Sequence, residues 1–393
     1  MTSVYDRLGV PTIINAKGTA TRLSGGIMRR EVADAMVEAS HACVDIAALQ
    51  AAASREIAAV TGAEAGYVAS GASACLLLAT AACIAGHDLS AMARLPDTAS
   101  LKNEVVMARS QRNFYDHAVR AAGARIVEVG LPDRFAGAGV RDAEGWEIDA
   151  AISERTAAVF YVADALARPS LPEVVEVAHG RGVPVFVDAA AQLPPQSNLR
   201  RFIAEGADLV AFSGGKVIGG PQASGFLCGR HDLIMSAALQ HLDFDIPWAR
   251  WQPPPLLIDK TGLKGVPQHG IGRSCKAGKE EIVGLLTALR LFVEEGDAAR
   301  HARWLKRVNV MATGLRFGGV DLLYTDDRSA VPQVKLTLKD MTAEDFLIRL
   351  AAGTPSVHAD ASVWDSHVVF LSPLCLGEGD ELRVAEAVNA ILA

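Results

Sequence analysis

Short runs rich in Val, Ile and Phe punctuate the first two-thirds of the chain, at Ala65–Ala69, Val105–Ala108, Arg125–Val129, Ala157–Val162, Val183–Asp188, Asp208–Phe212 and Gly225–Cys228. Most are nearly continuous in apolar character, which describes strands buried on both faces rather than half-exposed ones. Between them lie stretches that read as helices: from near Arg29 through Ala39, from Ile46 to Val60 with Gly62 as the stop, from the Ser70–Ser73 turn to Gly86, and over Tyr115–Ala122 and Pro172–Gly180. Strands alternating with helices in this way predict a mostly parallel sheet covered on both faces. Residues 1 to about 30 carry turn chemistry (Pro11, Asn15–Gly18, Ser24–Gly26) and are expected to be irregular, as is the loop region 130–150, with a short helix after Glu147.

The texture changes after Arg230. Pro247–Pro267 is rich in Pro, Trp and Gly, a candidate active-site or subunit-contact loop. A long helix is expected from about Lys279 to Gly296 and onward through 297–315. Strands near Gln333–Leu338, Ser356–Ala359 and Val368–Leu371 follow, with helices at Ala343–Ala351 and Gly379–Leu392. The expected organisation is an N-terminal arm and helix (1–45), a large α/β domain (46–270) and a small α+β domain (271–393) that begins with the long helix.

Composition narrows the function classes. Half of the 393 residues are hydrophobic and the formal net charge is −7, with no dense Lys/Arg run, so no nucleic-acid partner is expected. The most apolar segment, Ala72–Ala85, is too short to span a bilayer, and no membrane association is expected. Six cysteines without metal-like spacing read as reduced thiols, and the first residues lack a basic-then-apolar signal pattern, so a soluble cytoplasmic protein is expected and no metal.

Candidate chemistry sits at the C-terminal ends of predicted strands, where open α/β sheets place ligands. Ser70-Gly71-Ala72-Ser73 opens a helix, and its N–H groups and hydroxyls suit a phosphate, although either serine could simply cap the helix. Asp188 ends a buried strand, where a carboxylate needs a cation. A protonated pyridine nitrogen is one such partner, and Ala190 is small enough to lie beneath a flat ring; the alternative is an Asp that caps the next turn. Lys216 follows Ser213-Gly-Gly at another strand end. Burial there would lower its pKa and free the amine for covalent catalysis, with the Ser213 hydroxyl available to a phosphate; taken alone, it could equally be a loop lysine.

Phosphate loop, aspartate and lysine, in that order and each at a strand end, resemble the fold-type I (aspartate aminotransferase-like) family of pyridoxal 5'-phosphate enzymes. Ile13–Gly18, the helix around Ile57–Gly62, Ser213–Lys216 with Gly219-Gly-Pro-Gln222, and Lys276–Ile282 narrow the resemblance to the selenocysteine synthase-like group, over essentially the whole chain. That group includes seryl-tRNA selenium transferase and D-glucosaminate-6-phosphate ammonia-lyase. The resemblance implies that Lys216 carries the cofactor, that Asp188 serves its ring nitrogen and that Ser70–Ser73 holds its phosphate. It also implies Arg109 and Arg273 as anion-binding residues, for the substrate or the cofactor phosphate. His117 is the candidate cover for the cofactor ring. His358 stands where small-molecule relatives often carry a substrate-binding arginine.

Selenium transferases carry an additional N-terminal tRNA-binding domain, whereas this chain enters the cofactor-domain pattern almost at once, so a tRNA substrate is not expected. The expected activity is α,β-elimination of the ammonia-lyase type on a small amino acid, of D configuration or phosphorylated. Racemisation or epimerisation and transamination are the alternatives, and tRNA-dependent selenium transfer stands behind them. A homodimer or larger homo-oligomer follows from fold analogy.

Overall fold

The strands of the computed structural model, which describes residues 3–131 and 142–392, run in chain order as follows. They are β1 (Ile14–Asn15), β2 (Ala65–Ala69), β3 (Glu104–Ala108), β4 (Arg125–Val129), β5 (Thr156–Val162), β6 (Val185–Asp188), β7 (Leu209–Ser213), β8 (Gly225–Gly229), β9 (Val320–Leu323), β10 (Gln333–Thr337), β11 (Val357–His358), β12 (Asp360–Ala361) and β13 (Val368–Leu371). β2 to β8 form one sheet in the order β2-β8-β7-β6-β5-β3-β4. All its pairings are parallel except those of β8, which is antiparallel to both β7 and β2. The segment joining β7 to β8 is too short for a crossover helix, so the chain must double back there.

Alternate residues of each central strand enter different cores. Val105 and Met107 of β3 pack in the core beneath helices Ala72–Ala85 and His231–His241. Val106 and Ala108 pack on the other face, with helices Ile46–Thr61, Leu171–Gly180 and Asn198–Ala204. Phe160 and Phe186 stack at 4.7 Å in the first core, and Phe212 and Phe226 at 5.0 Å in the second. Each such side chain contributes roughly 1.5–3 kcal/mol on burial. This two-sided cover is why the strands read as unbroken apolar runs. Helix Ile46–Thr61 is bounded by local chemistry: Asp45 accepts from the Ala48 N–H at 2.8 Å, and Gly62 closes the other end at φ 73°.

The long helix Lys279–Gly314 is broken at Gly296, whose φ of 70° is left-handed. Before the break, Ile282, Leu285 and Phe292 belong to the second core of the large sheet. After it, Val308 and Met311 join a third core with Val334, Phe346, Val369 and Val384, under the antiparallel sheet β12-β13-β10-β9. The loop expected over 130–150 lies in part outside the described residues, and its last part is helix Gly145–Ala151, which begins two residues before the Glu147 after which a short helix is expected. Helices Leu89–Arg94 and His231–His241 were not foreseeable from periodicity, the second because it is buried around most of its circumference and presents no polar stripe.

The N-terminal segment is more ordered than its turn-rich composition implies. β1 pairs in parallel with β11, Ile14 opposite Val357 and Asn15 opposite His358, so the arm joins the small domain. Asn15 is buried and ties the following loop. Its Nδ2 donates to the carbonyls of Gly18 and Gly25, both at 2.8 Å, and its Oδ1 accepts from the N–H groups of Lys17 and Gly18. The Ala16 N–H bonds the His358 carbonyl at 2.8 Å, and the Ser372 N–H bonds the Ala16 carbonyl at 2.7 Å. Asn15→Ala removes these side-chain bonds and should weaken arm docking by about 2 kcal/mol, a roughly 30-fold change. Hydrogen exchange at Ala16 and Ser372 is expected to accelerate accordingly, with the amides of β5–β7 unchanged.

Candidate active site

β6 and β7 lie side by side, with Asp188 opposite Ala211. Their C-terminal ends deliver the two groups on which the site turns. Asp188 is 9% exposed, and its Oδ1 accepts from the Ala190 N–H at 3.0 Å. Burial holds its carboxyl above the usual range, against the opposing pull of that hydrogen bond and of Lys216. Lys216 is half-buried at the apex of a tight turn. Gly214 N–H bonds Ser224 O, Gly219 N–H bonds Lys216 O and Gly220 N–H bonds Gly214 O, at 2.9–3.0 Å. Burial lowers the lysine pKa, with Asp188 pulling the other way. Lys216, Ser213 and Ala190 share a cavity of about 220 Å³ with Thr19, Leu193 and Phe212.

The Ser70–Ser73 loop adjoins this group through backbone contact. Helix Ala72–Ala85 begins there with no side-chain cap on its first N–H groups, leaving them available to an anion. Gly225, opposite Ser213 in β8, must be glycine. A Cβ there would lie 2.6 Å from the Gly71 carbonyl carbon and 2.7 Å from the Ala72 nitrogen, both backbone atoms that cannot yield. One turn into the helix, Cys75 is fully buried, and burial pushes its thiol well above the usual range. Beneath the loop, the Ser70 N–H donates to the Cys275 carbonyl at 3.2 Å. The same carbonyl lies 2.9 Å from His241 Nε2, so that nitrogen carries the proton and Nδ1 accepts from the Tyr67 hydroxyl at 2.9 Å. Burial lowers the His241 pKa, with Arg273 also lowering it against the Cys275 bond.

The other expected site residues are distributed more widely. Arg273 lines a different cavity, of about 660 Å³, with His241, Asp243 and Lys276, its Nη2 at 3.4 Å from Asp243. His358 lies in β11 against the arm, its Nε2 3.2 Å from Ser356 Oγ, and both burial and neighbouring Arg22 lower its pKa. Arg109 follows β3 but is turned to the sheet edge, donating to Glu128 at 3.0 Å and half exposed. His117 opens a short helix, exposed and 3.0 Å from Arg120 Nη2. Neither Arg109 nor His117 lines the lysine cavity in this chain. Thr19 was missed: it reaches the cavity only because the arm docks on the small domain. Gln222 of the Gly-Gly-Pro-Gln run contributes to the same closure, donating to Thr21 Oγ1 at 3.1 Å.

A mostly parallel sheet with a lysine, an aspartate and an uncapped helix at adjoining strand ends defines a fold-type I pyridoxal-phosphate enzyme scaffold. The family model described as SelA, L-seryl-tRNA selenium transferase, matches residues 13–243, and the chain belongs to that family. A D-glucosaminate-6-phosphate ammonia lyase of Salmonella typhimurium is 30% identical, covering 99% of this chain and 98% of the relative. A 5'-C-glycyluridine monooxygenase-decarboxylase of a Streptomyces species is 33% identical, covering 91% of this chain and 84% of the relative. A solved D-glucosaminate-6-phosphate ammonia-lyase structure superposes with a TM-score of 0.81 at 28% identity, covering 100% of this chain and 98% of that one. An Escherichia coli cysteine desulfurase, 16% identical with a TM-score of 0.55 over 97% of this chain and 95% of its own, shares the fold. Among the described residues, no helix is long and apolar enough to cross a membrane, and no group of His, Cys, Asp and Glu is placed to hold a metal.

The raised pKa of Asp188 yields a stability test. The folded chain keeps this carboxyl protonated at pH values where the unfolded chain has released the proton, so it contributes a loss of stability as pH rises from 3.8 through the folded value. Asp188→Asn keeps an acceptor for the Ala190 N–H and removes the charge. Cofactor-free Asp188→Asn should therefore melt above wild type at neutral pH, with the difference closing below pH 3.8. Thermal denaturation across pH reads this directly.

Proposed function

We propose that the chain is a pyridoxal-phosphate-dependent lyase. It would take a β-substituent and the amino group from a small amino acid, of D configuration or phosphorylated, and leave a 2-oxo acid and ammonia. The observation that carries the reading is the pairing, at the ends of neighbouring strands, of a carboxyl and an amine whose charged forms are both disfavoured by burial. The site fits the cofactor. Asp188 needs a cationic partner, the uncapped helix start at Ala72 offers N–H groups for a phosphate, and Ala190 leaves a flat wall on the cavity.

Bound there, the cofactor would supply an electron sink for bonds broken at the substrate Cα. Lys216 would be the attachment point and the base for the Cα proton; its lowered pKa leaves more of the amine uncharged for this. Asp188 would hold a proton at the ring nitrogen. The Ser70, Gly71, Ala72 and Ser73 loop and the Ser213 hydroxyl would bind the phosphate, with Arg273, in the cavity beside His241, as a further anion contact. Thr19 of the arm forms one wall of the cavity. Loss of the Cα proton and of the β-substituent, which leaves as its conjugate acid, gives an enamine; protonation at Cβ turns it into an imine, which one water hydrolyses to a 2-oxo acid and ammonia.

The full-length similarity to D-glucosaminate-6-phosphate ammonia lyase supports elimination. Similarity at 33% identity to a protein named as a monooxygenase-decarboxylase supports a second reading, in which the bond broken at Cα is that to the carboxylate. Exposed Phe114 and Tyr115 support a neighbouring copy of the chain over the β3 end of the site. Unpaired thiols support a reducing, cytoplasmic setting.

Borohydride reduction of the holoenzyme followed by peptide mass analysis is expected to fix the cofactor to Lys216, and Lys216→Ala to abolish both the adduct and turnover. An adduct elsewhere would sink the assignment. A panel of D- and L-amino acids, with and without phosphate, assayed for ammonia, 2-oxo acid, carbon dioxide and inversion, distinguishes elimination from decarboxylation and racemisation.

A further inference from the structure

Arg300 follows the break at Gly296 and is 1% exposed. Its Nη2 donates to the Phe292 carbonyl at 2.8 Å, and its guanidinium stacks 3.5 Å from the Phe292 ring centroid. The nearest carboxylate, Asp297, stands 3.6 Å from Nη1 and is taken up by the Gln196 N–H, which donates to both of its oxygens. Nε and Nη1 of Arg300 therefore have no hydrogen-bond partner. Burial lowers this guanidinium to about 10, which still leaves it charged at neutral pH. A desolvated cation with unused donors is expensive unless a ligand completes it.

Arg300 also lines a cavity of about 80 Å³ with Arg29, Arg303, Lys216 and Cys375; Nε and Nη1 themselves present no surface to it, so an occupant meets them only by drawing the guanidinium towards it. Glu295 is the carboxylate on its wall, and two arginines already share it. Arg303 reaches it in a bidentate contact at 2.7 and 3.1 Å, and Arg29 at 2.9 Å. The balance on the cavity wall is cationic, and the arginine with free donors is the most deeply buried. At roughly 10–15 Å³ per water-sized group, the space suits a tetrahedral or planar oxyanion of a few heavy atoms. A helix-kink clamp would account for the Phe292 bond but leaves Nε and Nη1 unexplained.

We propose that this cavity is an oxyanion subsite, with the Arg300 fork as its principal ligand and Arg29 and Arg303 as flanking cations. Because Lys216 lines this cavity as well as the first one, the natural occupant is a phosphate or carboxylate at the far end of the substrate; free inorganic phosphate has the same chemistry. The substrate assignment rests on Lys216 being the catalytic lysine.

The test uses holoenzyme, whose cofactor phosphate site is filled, titrated with inorganic phosphate against chloride at matched ionic strength. Saturable, phosphate-specific thermal stabilisation is expected for wild type. Arg300→Lys should weaken it about tenfold and Arg300→Gln abolish it. Should Arg300→Gln fail to fold, Arg303→Gln, on a half-exposed side chain, is expected to weaken binding several-fold with the core intact. Phosphate that raises the apparent KM for amino acids with a distal anion, without lowering kcat, identifies the site as the substrate's. Phosphate that binds without competing identifies free phosphate as the occupant. Absence of phosphate-specific stabilisation, or stabilisation undiminished in both Arg300→Gln and Arg303→Gln, overturns the proposal. Borohydride trapping at Lys216 separates the two readings: trapping without phosphate binding overturns this inference alone, and no trapping in wild type overturns the lysine assignment whatever phosphate does.

Discussion

Two ionisable groups at the ends of neighbouring strands, each deprived of water, set the terms for the rest of the molecule. Burial opposes ionisation of Asp188 and protonation of Lys216, and their mutual attraction does not outweigh it. Such a pair persists only if the surrounding structure is strong enough to hold it. The two cores that sandwich the sheet supply that strength, with Phe160 against Phe186 on one face and Phe212 against Phe226 on the other. Stability given up at the strand ends is stability generated in the strand middles.

The same division explains what could be read from the amino-acid order. Strands buried on both sides announce themselves because their middles are continuously apolar, and they place Asp188 and Lys216 at or just past their ends without knowledge of the tertiary structure. Ser70–Ser73 was legible for a similar reason: helix entry is a local event. Helix His231–His241 was hidden because its burial leaves no polar stripe, and β9 because it is a partly exposed edge strand with acidic and apolar residues intermixed.

What could not be read depends on partners far along the chain. Thr19 reaches the lysine cavity only through β1 pairing with β11, and nothing within Asn15–Gly18 signals Val357 and His358 as its neighbours. Arg109 shows the converse. Its place after β3 suggested an anion ligand, yet Glu128 on the adjacent strand, brought beside it by the β3–β4 register, takes its guanidinium. Arg300 sits in a run of charged helix residues, where burial cannot be guessed. Only the left-handed Gly296 turns it inward against Phe292.

The docking of the arm also sets an order of events during synthesis. The apolar partners of the large sheet are complete once the chain has passed Phe292, so that sheet can assemble while the C-terminal hundred or so residues are still to be made. Residues 14–16 must nevertheless wait for partners more than 300 residues further along the chain. Ile14, Asn15 and Ala16 find their partners at Ser356, His358 and Ser372. A nascent chain would thus display Lys216 in a cavity lacking its Thr19 wall until residues 356–372 had been made.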